Sequence, residues 1–306
     1  MKALITGNKG FVGKYLTAEL SVNGYRVSGT DLVEDENTRC VDLLDTKAVR
    51  DLISEIQPDV IFHLAAQAAI PLSWKEPKKT FELNVIGTIN LLEAVYMEKH
   101  ACRVVIIGSA DQYGITNSVE AISEKEALYP QNPYAVSKKA QEEFALIYAK
   151  FHSLDVCLTR SFNHSGPGQR RGFLIPDLCH GIVQVEQGKA PYLKVGNTEA
   201  VRDFTDVRDV VKAYRLICEK GIKGEVYNVG SGTGRKVQDV LDKLVGMASC
   251  EIPIQPDTDR MRASDTPVMV CDNTKLRSHT GWIPSVPFEQ TLRDSLEYYR
   301  SIDMNQ

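Results

Sequence analysis

The stretch from Met1 to Asp31 restricts the possible folds of this chain more than any other. Lys2-Ala3-Leu4-Ile5-Thr6 reads as a short buried strand, and it runs directly into Gly7-Asn8-Lys9-Gly10-Phe11-Val12-Gly13. Past the glycines, Tyr15, Leu16 and Leu20 recur at helical spacing. Tyr25-Arg26-Val27-Ser28-Gly29-Thr30 then reads as a second strand that closes on Asp31. Strand, glycine turn, helix and strand in this order specify the opening of a parallel, doubly wound α/β sheet.

The glycines have different physical tasks. Gly7 allows the tight turn, Gly10 lets the backbone approach a pyrophosphate, and Gly13 lets helix and strand pack closely. The helix N-terminus offers N–H groups and its positive dipole end to phosphates. Asp31 lies close to the ~20-residue offset at which an acidic side chain meets the adenosine ribose. A carboxylate there accepts from both ribose hydroxyls of NAD and repels the 2′-phosphate of NADP. NAD is therefore the expected cofactor, with NADP possible because Arg39 and nearby backbone can reshape the pocket. Phe11 and Val12, inside the loop, belong to the same expected contact set.

Composition narrows the remaining classes. The chain has 306 residues with 43% hydrophobic and 25% charged content, ordinary for a globular enzyme with a sizeable core. A net charge of -4 gives no electrostatic footprint for nucleic acid or an acidic membrane. The longest apolar runs, such as Val104 to Ile107, are strand-sized, and the first of them is already the glycine-loop strand, so a cytoplasmic protein is expected. The seven cysteines are odd in number and form no C-x-x-C pair, which predicts reduced thiols and no metal site.

Further along, Asp42-Leu43 precedes a helix expected over roughly Thr46 to Ile56. Asp42 could accept the adenine amino group or serve as a solvated cap, and Leu43 beside it is grouped with the cofactor positions. Val60 to Leu64 reads as a buried parallel strand ending in Ala65-Ala66-Gln67, and small residues at its carboxyl end leave room for a ligand. Leu64, Ala65 and Ala66 are thus cofactor candidates, whereas His63 inside the strand reads as a satisfied core histidine. Pro77 to Lys99 carries helical periodicity and includes Asn84, either an anchor for active-site backbone or a solvent-facing residue. Arg103 to Gly108 is the next strand and delivers the chain to Ser109. A helix from Pro133 to about His152 and a strand from Leu154 to Arg160 follow.

Beyond Asn163 the alternation breaks. Gly166-Pro167-Gly168-Gln169 reads as a turn, Phe173 to Glu186 as a helix, and Tyr192 to Val195 and Asp203 to Phe204 as short strands. Val207 to Glu219 reads as a helix returning to the sheet before the strand Val226 to Val229. A helix near Lys236 to Met247, a strand near Ile252 to Gln255 and a final helix near Phe288 to Arg300 complete the chain. The expected division is a dinucleotide-binding domain, 1–165 with 203–230 returning to it, and a smaller interleaved α/β substrate domain, 166–202 and 231–306.

Tyr134 and Lys138 stand four apart at a helix start and so share one face. A phenol is a poor proton exchanger at neutral pH, but a neighbouring ammonium and an oxidised nicotinamide both favour its ionised form. Lys138 can also hold the nicotinamide ribose, and Ser109, at a strand end, can hydrogen-bond the reacting oxygen. Asp111 reads either as a general acid/base that assists loss of water from a sugar or as a loop residue that orders substrate.

Ser109…Tyr134-x-x-x-Lys138 with the G-x-x-G-x-x-G loop resembles the nucleotide-sugar branch of the extended short-chain dehydrogenases. The run Lys194-Val195-Gly196-Asn197-Thr198-Glu199-Ala200-Val201-Arg202-Asp203-Phe204-Thr205-Asp206-Val207-Arg208-Asp209 is similar to its GDP-mannose-derived members, the GDP-mannose 4,6-dehydratases and the GDP-4-keto-6-deoxymannose reductases. Ser161-Phe162-Asn163-His164 with Gly166-Pro167-Gly168-Gln169 and Gly172-Phe173 looks closer to the reductases. Where those dehydratases carry Glu two positions after Thr or Ser, this chain has Asp111 after Ser109. The resemblance implies a GDP-sugar held by Asn163, Phe173, Lys194, Arg202 and Arg262, with the arginines on the diphosphate, as forked guanidinium donors suit. It further implies reduction of GDP-4-keto-6-deoxymannose at C4 to a GDP-rhamnose-type product, with 4,6-dehydration or 4-epimerisation/dehydrogenation as alternatives, and a homodimer formed through the helices Pro77 to Lys99 and Tyr134 to His152.

Overall fold

The computed structural model describes residues 1–99, 101–115, 120–257 and 266–303. Seven strands form one all-parallel sheet: β1 (Lys2–Thr6), β2 (Arg26–Asp31), β3 (Thr38–Cys40), β4 (Val60–His63), β5 (Arg103–Ser109), β6 (Asp155–Ser161) and β10 (Val226–Val229). Their spatial order is β10-β6-β5-β4-β1-β2-β3. The chain starts in the middle, winds outward to β3, then crosses back to build the other half from β4. Residues on alternate sides of β1 enter different cores, as a strand period of two requires. Ala3 and Ile5 pack with Leu16 and Leu20 of α1 (Phe11–Val22) and with Val210 and Tyr214 of α8 (Val207–Lys220). Leu4 faces the opposite layer, where α2 (Thr46–Ile56), α5 (Gly87–Met97) and α6 (Pro133–Phe151) supply Leu52, Leu91 and Ala145. With helices on both faces, these strands can be continuously apolar.

A smaller lobe is built around β9 (Val201–Asp206). It pairs antiparallel with β11 (Gly234–Lys236); on its other side the first half pairs with β13 (Val268–Met269) and the second with β7 (Asn163–Ser165), both parallel. β8 (Leu193–Val195) pairs with β12 (Ile254–Pro256) in a separate ribbon. A third core joins α7 (Leu174–Glu186), α9 (Val237–Val245) and α11 (Phe288–Asp303) through Ile182, Leu241 and Leu292. The observed fold is thus a doubly wound parallel sheet with a smaller mixed-sheet lobe interleaved with it in sequence.

Several expected boundaries shift. The helix expected over Pro77 to Lys99 is interrupted: α4 (Pro77–Phe81) passes through a π-helical turn at Glu82–Ile86 before α5. The short helices α3 (Ile70–Lys75) and α10 (Thr274–Thr280), and β3, β7, β11 and β13, fall where the sequence predicts no regular element. The strand expected at Ile252 begins at Ile254. All seven cysteines are free thiols, five of them buried. No helix among the described residues is long and apolar enough to cross a membrane.

Candidate active site

The glycine loop sits at the carboxyl end of the central strand. Gly7 has φ +74, a backbone that side chains with a Cβ rarely adopt, and its N–H donates to the Thr30 carbonyl at 2.7 Å, tying the loop to β2. A Cβ on Gly13 would stand 2.5 Å from the Gly7 oxygen and 2.6 Å from the Asn8 Cα, so the helix can lie this close to the loop only without one. Gly10 is the N-cap of α1 and carries no capping side chain, which leaves the helix end to phosphate oxygens. Phe11 stacks on His164 with ring centroids 6.4 Å apart and so joins the loop to β7. One glycine went unnoticed in the sequence: the side chain of Asn8 occupies the place of a Cβ on Gly29 and donates to Thr38 Oγ1 at 2.7 Å.

Asp31 ends β2, and its carboxylate accepts from the backbone N–H of Lys9 (3.1 Å) and of Leu32 (2.8 Å). The basic side chains around it are already paired, Lys9 with Asp35 and Arg39 in a fork with Glu55. Asp42 is exposed and accepts from the Leu44 N–H at 2.9 Å, a turn contact, and the N-cap of α2 is Asp45. Leu43 turns inward against Gly87. Leu64, Ala65 and Ala66 leave β4 beside the loop, where the Ala65 backbone lies 2.9 Å from the position of a Gly7 Cβ. A cradle that only glycine fits, an open helix end and a carboxylate at the second strand's tip are together suited to a dinucleotide pyrophosphate and ribose.

On the other side of the same crevice, Ser109 ends β5 and Tyr134 occupies the first turn of α6. That helix starts here because Pro133 fixes its first position and Asn132 caps it, accepting from the Ala135 N–H at 2.8 Å. The Ser109 hydroxyl is hydrogen-bonded to the Tyr134 phenol. Burial pushes the phenol's pKa well up, the Asp111 carboxylate pushes it further, and the Ser109 hydrogen bond opposes them. Burial and Asp111 therefore favour the neutral phenol in the chain without cofactor. The Lys138 ammonium is turned to the Ile107 carbonyl (2.8 Å) and to Gln141 Oε1 (2.9 Å), and burial brings its pKa down to about 7. The Asp111 carboxylate lies near enough to Tyr134 to raise the phenol's pKa.

Asn84 is the backbone anchor, not a solvent-facing residue. It lies fully buried on the π-helical turn, accepts from the Gln67 N–H at 2.8 Å, and donates to the Gln67 carbonyl at 3.1 Å and to Ser137 Oγ at 2.9 Å. The candidate substrate residues come from the smaller lobe and its edge. Asn163 on β7 is exposed and stands opposite Phe204 of β9; Arg202 lies two residues earlier on β9, its guanidinium donating to the Val201 and Thr266 carbonyls at 2.9 and 2.7 Å. Phe173, half out of the protein, caps α7, and Lys194 is exposed on β8. Arg262 lies outside the described residues.

Behind Tyr134, residues missed in the sequence form a buried polar cluster: Arg160 forks onto Glu142 at 2.6 and 3.0 Å and donates to the Tyr113 hydroxyl at 3.0 Å, which donates to Asn228 at 2.7 Å. Such a pair is costly to break once buried. A charged arginine following the apolar run Val156-Cys157-Leu158 in a strand was the available signal.

The sequence profile for GDP-mannose 4,6 dehydratase matches residues 4–295. The GDP-6-deoxy-D-mannose reductase of Pseudomonas aeruginosa is 35% identical over 98% of this chain and 97% of its own length. Among solved structures, the RMD protein of Pseudomonas aeruginosa complexed with NADPH superposes with a TM-score of 0.89 at 34% identity, covering 98% of this chain and 99% of that one. The UDP-glucose 4-epimerase of Thermus thermophilus in complex with NAD gives 0.88 at 28% identity, covering 98% and 99%. A profile matched across almost the whole length, with these relatives and this fold, makes this chain a member of the GDP-mannose 4,6-dehydratase family of extended short-chain dehydrogenases, NAD(P)-dependent enzymes of nucleotide sugars.

Proposed function

We propose that this protein is a GDP-sugar oxidoreductase that reduces the C4 ketone of GDP-4-keto-6-deoxymannose to a GDP-rhamnose-type product. Bound NAD(P)H supplies the hydride for such a reduction. Gly7, Gly10, Phe11, Val12 and Gly13 would hold its pyrophosphate side, Asp31 its adenosine ribose, and Lys138 its nicotinamide ribose. Ser109 donates a hydrogen bond to the ketone oxygen. Tyr134 releases its phenolic proton to that oxygen as negative charge develops there, so the hydroxyl product forms without a free alkoxide.

The observation that carries this reading is the 35% identity, over 98% of this chain, to the GDP-6-deoxy-D-mannose reductase of Pseudomonas aeruginosa; burial and Asp111 both favour the neutral Tyr134 phenol, the form that can give a proton to a sugar alkoxide. Asp111 has a shorter arm than the Glu of the dehydratase pattern, which supports a role in ordering substrate over proton removal during loss of water. We assign residues 1–165 with 203–230 to cofactor binding, and 166–202 with 231–306 to the GDP moiety through Asn163, Phe173, Lys194, Arg202 and Arg262. The exposed apolar residues Phe81 on α4, Tyr96 and Met97 on α5, and Val136, Phe144, Ile147 and Phe151 on α6 support a homodimer that buries them, measurable as twice the chain mass by light scattering.

The test of function is a pair of incubations. The reading expects oxidation of added NADH or NADPH by GDP-4-keto-6-deoxymannose. Conversion of GDP-mannose to a 4-keto sugar without net use of cofactor would assign the dehydratase instead, and interconversion of 4-epimers would assign the epimerase.

A further inference from the structure

Behind Lys138 lies a line of polar side chains from four elements, all but shut off from solvent: Gln141 on α6, Thr88 on α5, His63 at the end of β4 and Thr6 at the end of β1. Lys138 Nζ donates to Gln141 Oε1 at 2.9 Å, and Gln141 Nε2 donates to Thr88 Oγ1 at 2.7 Å. Thr88 Oγ1 donates to the Asn84 carbonyl at 2.8 Å and lies 2.8 Å from His63 Nε2. His63 Nδ1 lies 2.8 Å from Thr6 Oγ1, which accepts from the Ala65 N–H at 3.2 Å.

The chemistry of these groups fixes the direction of every bond. An ammonium offers no lone pair, so Gln141 must face it with its oxygen and present its amide N–H groups to Thr88. Thr88 has a single hydroxyl hydrogen, already given to Asn84, so it accepts from both Gln141 and His63. His63 therefore carries its proton on Nε2 and accepts from Thr6 at Nδ1. Its ring remains neutral, with a pKa brought down to about 3 by burial and then by the Lys138 charge. The line has no reversible amide.

We propose that Gln141 is a positioning residue for Lys138, with Thr88 and His63 fixing the Gln141 amide from behind. The proposal rests on the reading of Lys138 as a catalytic residue. Two of the three ammonium N–H groups are held by Ile107 and Gln141, so the third has one direction left to it. Through Thr6 and Ala65 the same line reaches the glycine loop, which links the two halves of the crevice by hydrogen bonds.

Three substitutions test this against Lys138→Met as reference, each followed by turnover of GDP-4-keto-6-deoxymannose with NADH or NADPH, by urea midpoint, and by the Lys138 Nζ resonance in protein labelled with nitrogen-15 lysine. Gln141→Leu removes the acceptor and is expected to lower kcat about tenfold or more. Gln141→Asn keeps the polarity but is too short to reach the ammonium, and is expected to match Leu, which answers the question where the Leu variant fails to fold. Gln141→Glu restores an acceptor at the cost of a buried carboxylate; it is expected to be no more stable than Leu yet clearly more active, with Lys138 titrating at higher pH than in Leu or Asn. Leu or Asn activity within about twofold of wild type, activities that simply follow the urea midpoints, or an unmoved Lys138 resonance overturns the proposal. Full activity of Lys138→Met overturns the catalytic reading itself, whereas an inactive Lys138→Met beside an unimpaired Gln141→Leu overturns the positioning role alone.

Discussion

Replacing Tyr134 by phenylalanine separates chemistry from folding more sharply than any other single change. The side chain is 8% exposed, and the substitution deletes only the hydroxyl, whose hydrogen-bond partner is Ser109. Loss of one such bond costs about 1 kcal/mol of stability. The burial that raises the phenol's pKa penalises only the ionised form, so a phenyl ring is at ease in the same space. If Tyr134 delivers the proton, its removal lowers kcat by roughly 10² to 10⁴, equivalent to about 3–5 kcal/mol of transition-state stabilisation. The kinetic effect is then several times the structural one. Steady-state oxidation of reduced nicotinamide with GDP-4-keto-6-deoxymannose reads the first, and a urea unfolding curve reads the second. A variant that keeps kcat within about threefold of wild type refutes the role given to Tyr134, as does a loss of activity no larger than the loss of folded protein.

Other outcomes follow from the same geometry. Gly13→Ala places a methyl 2.5 Å from the Gly7 carbonyl oxygen, so it is expected to weaken NAD(H) binding by at least about tenfold, measured by calorimetry, or to lower the unfolding midpoint by displacing the loop. Asp31→Asn removes the charge that opposes a 2′-phosphate while Lys9 and Arg39 remain paired, and should raise the NADPH-to-NADH ratio of kcat/KM by about tenfold or more; an unchanged ratio places cofactor choice elsewhere. His63 has a folded pKa near 3 against an ordinary 6.5, so the unfolded chain binds the extra proton across that window. Its contribution is complete above pH 6.5 and is lost as pH falls toward 3, up to about 5 kcal/mol. His63→Gln, which can keep one donor and one acceptor, should flatten the fall of the urea midpoint between neutral pH and pH 4, and equal slopes in the two proteins would contradict this.

What was legible in the sequence is what short-range spacing encodes. Gly7, Gly10, Gly13 and Asp31 lie on one βαβ unit, and Tyr134 and Lys138 on one helical turn, so period and offset place them without tertiary knowledge. The continuous apolar runs of β4 and β5 likewise declare strands buried on both faces. The strands β7, β11 and β13, of two or three residues each, exist because β9 offers them edges to pair with, and pairing at long range leaves no local period. The π-helical turn at Glu82–Ile86 was hidden for a related reason: it is held by tertiary bonds from Asn84 to Gln67 and Ser137. Gln141, Thr88, His63 and Thr6 come from four segments, and nothing in their individual contexts marks them as one line. Helical spacing likewise shows that Lys138 is near Tyr134 but not that Ile107 and Gln141 hold its ammonium.

The central claim is that this crevice transfers a hydride from the added cofactor to C4 of a keto sugar while Tyr134 protonates the oxygen. It is tested most directly by single turnover with NADH or NADPH deuterated at nicotinamide C4, followed by mass and proton spectra of the GDP-hexose. The account predicts one deuterium, bound to sugar C4, in a product formed with equal consumption of reduced cofactor. A product with no cofactor-derived deuterium, or with the label at C6, would contradict it.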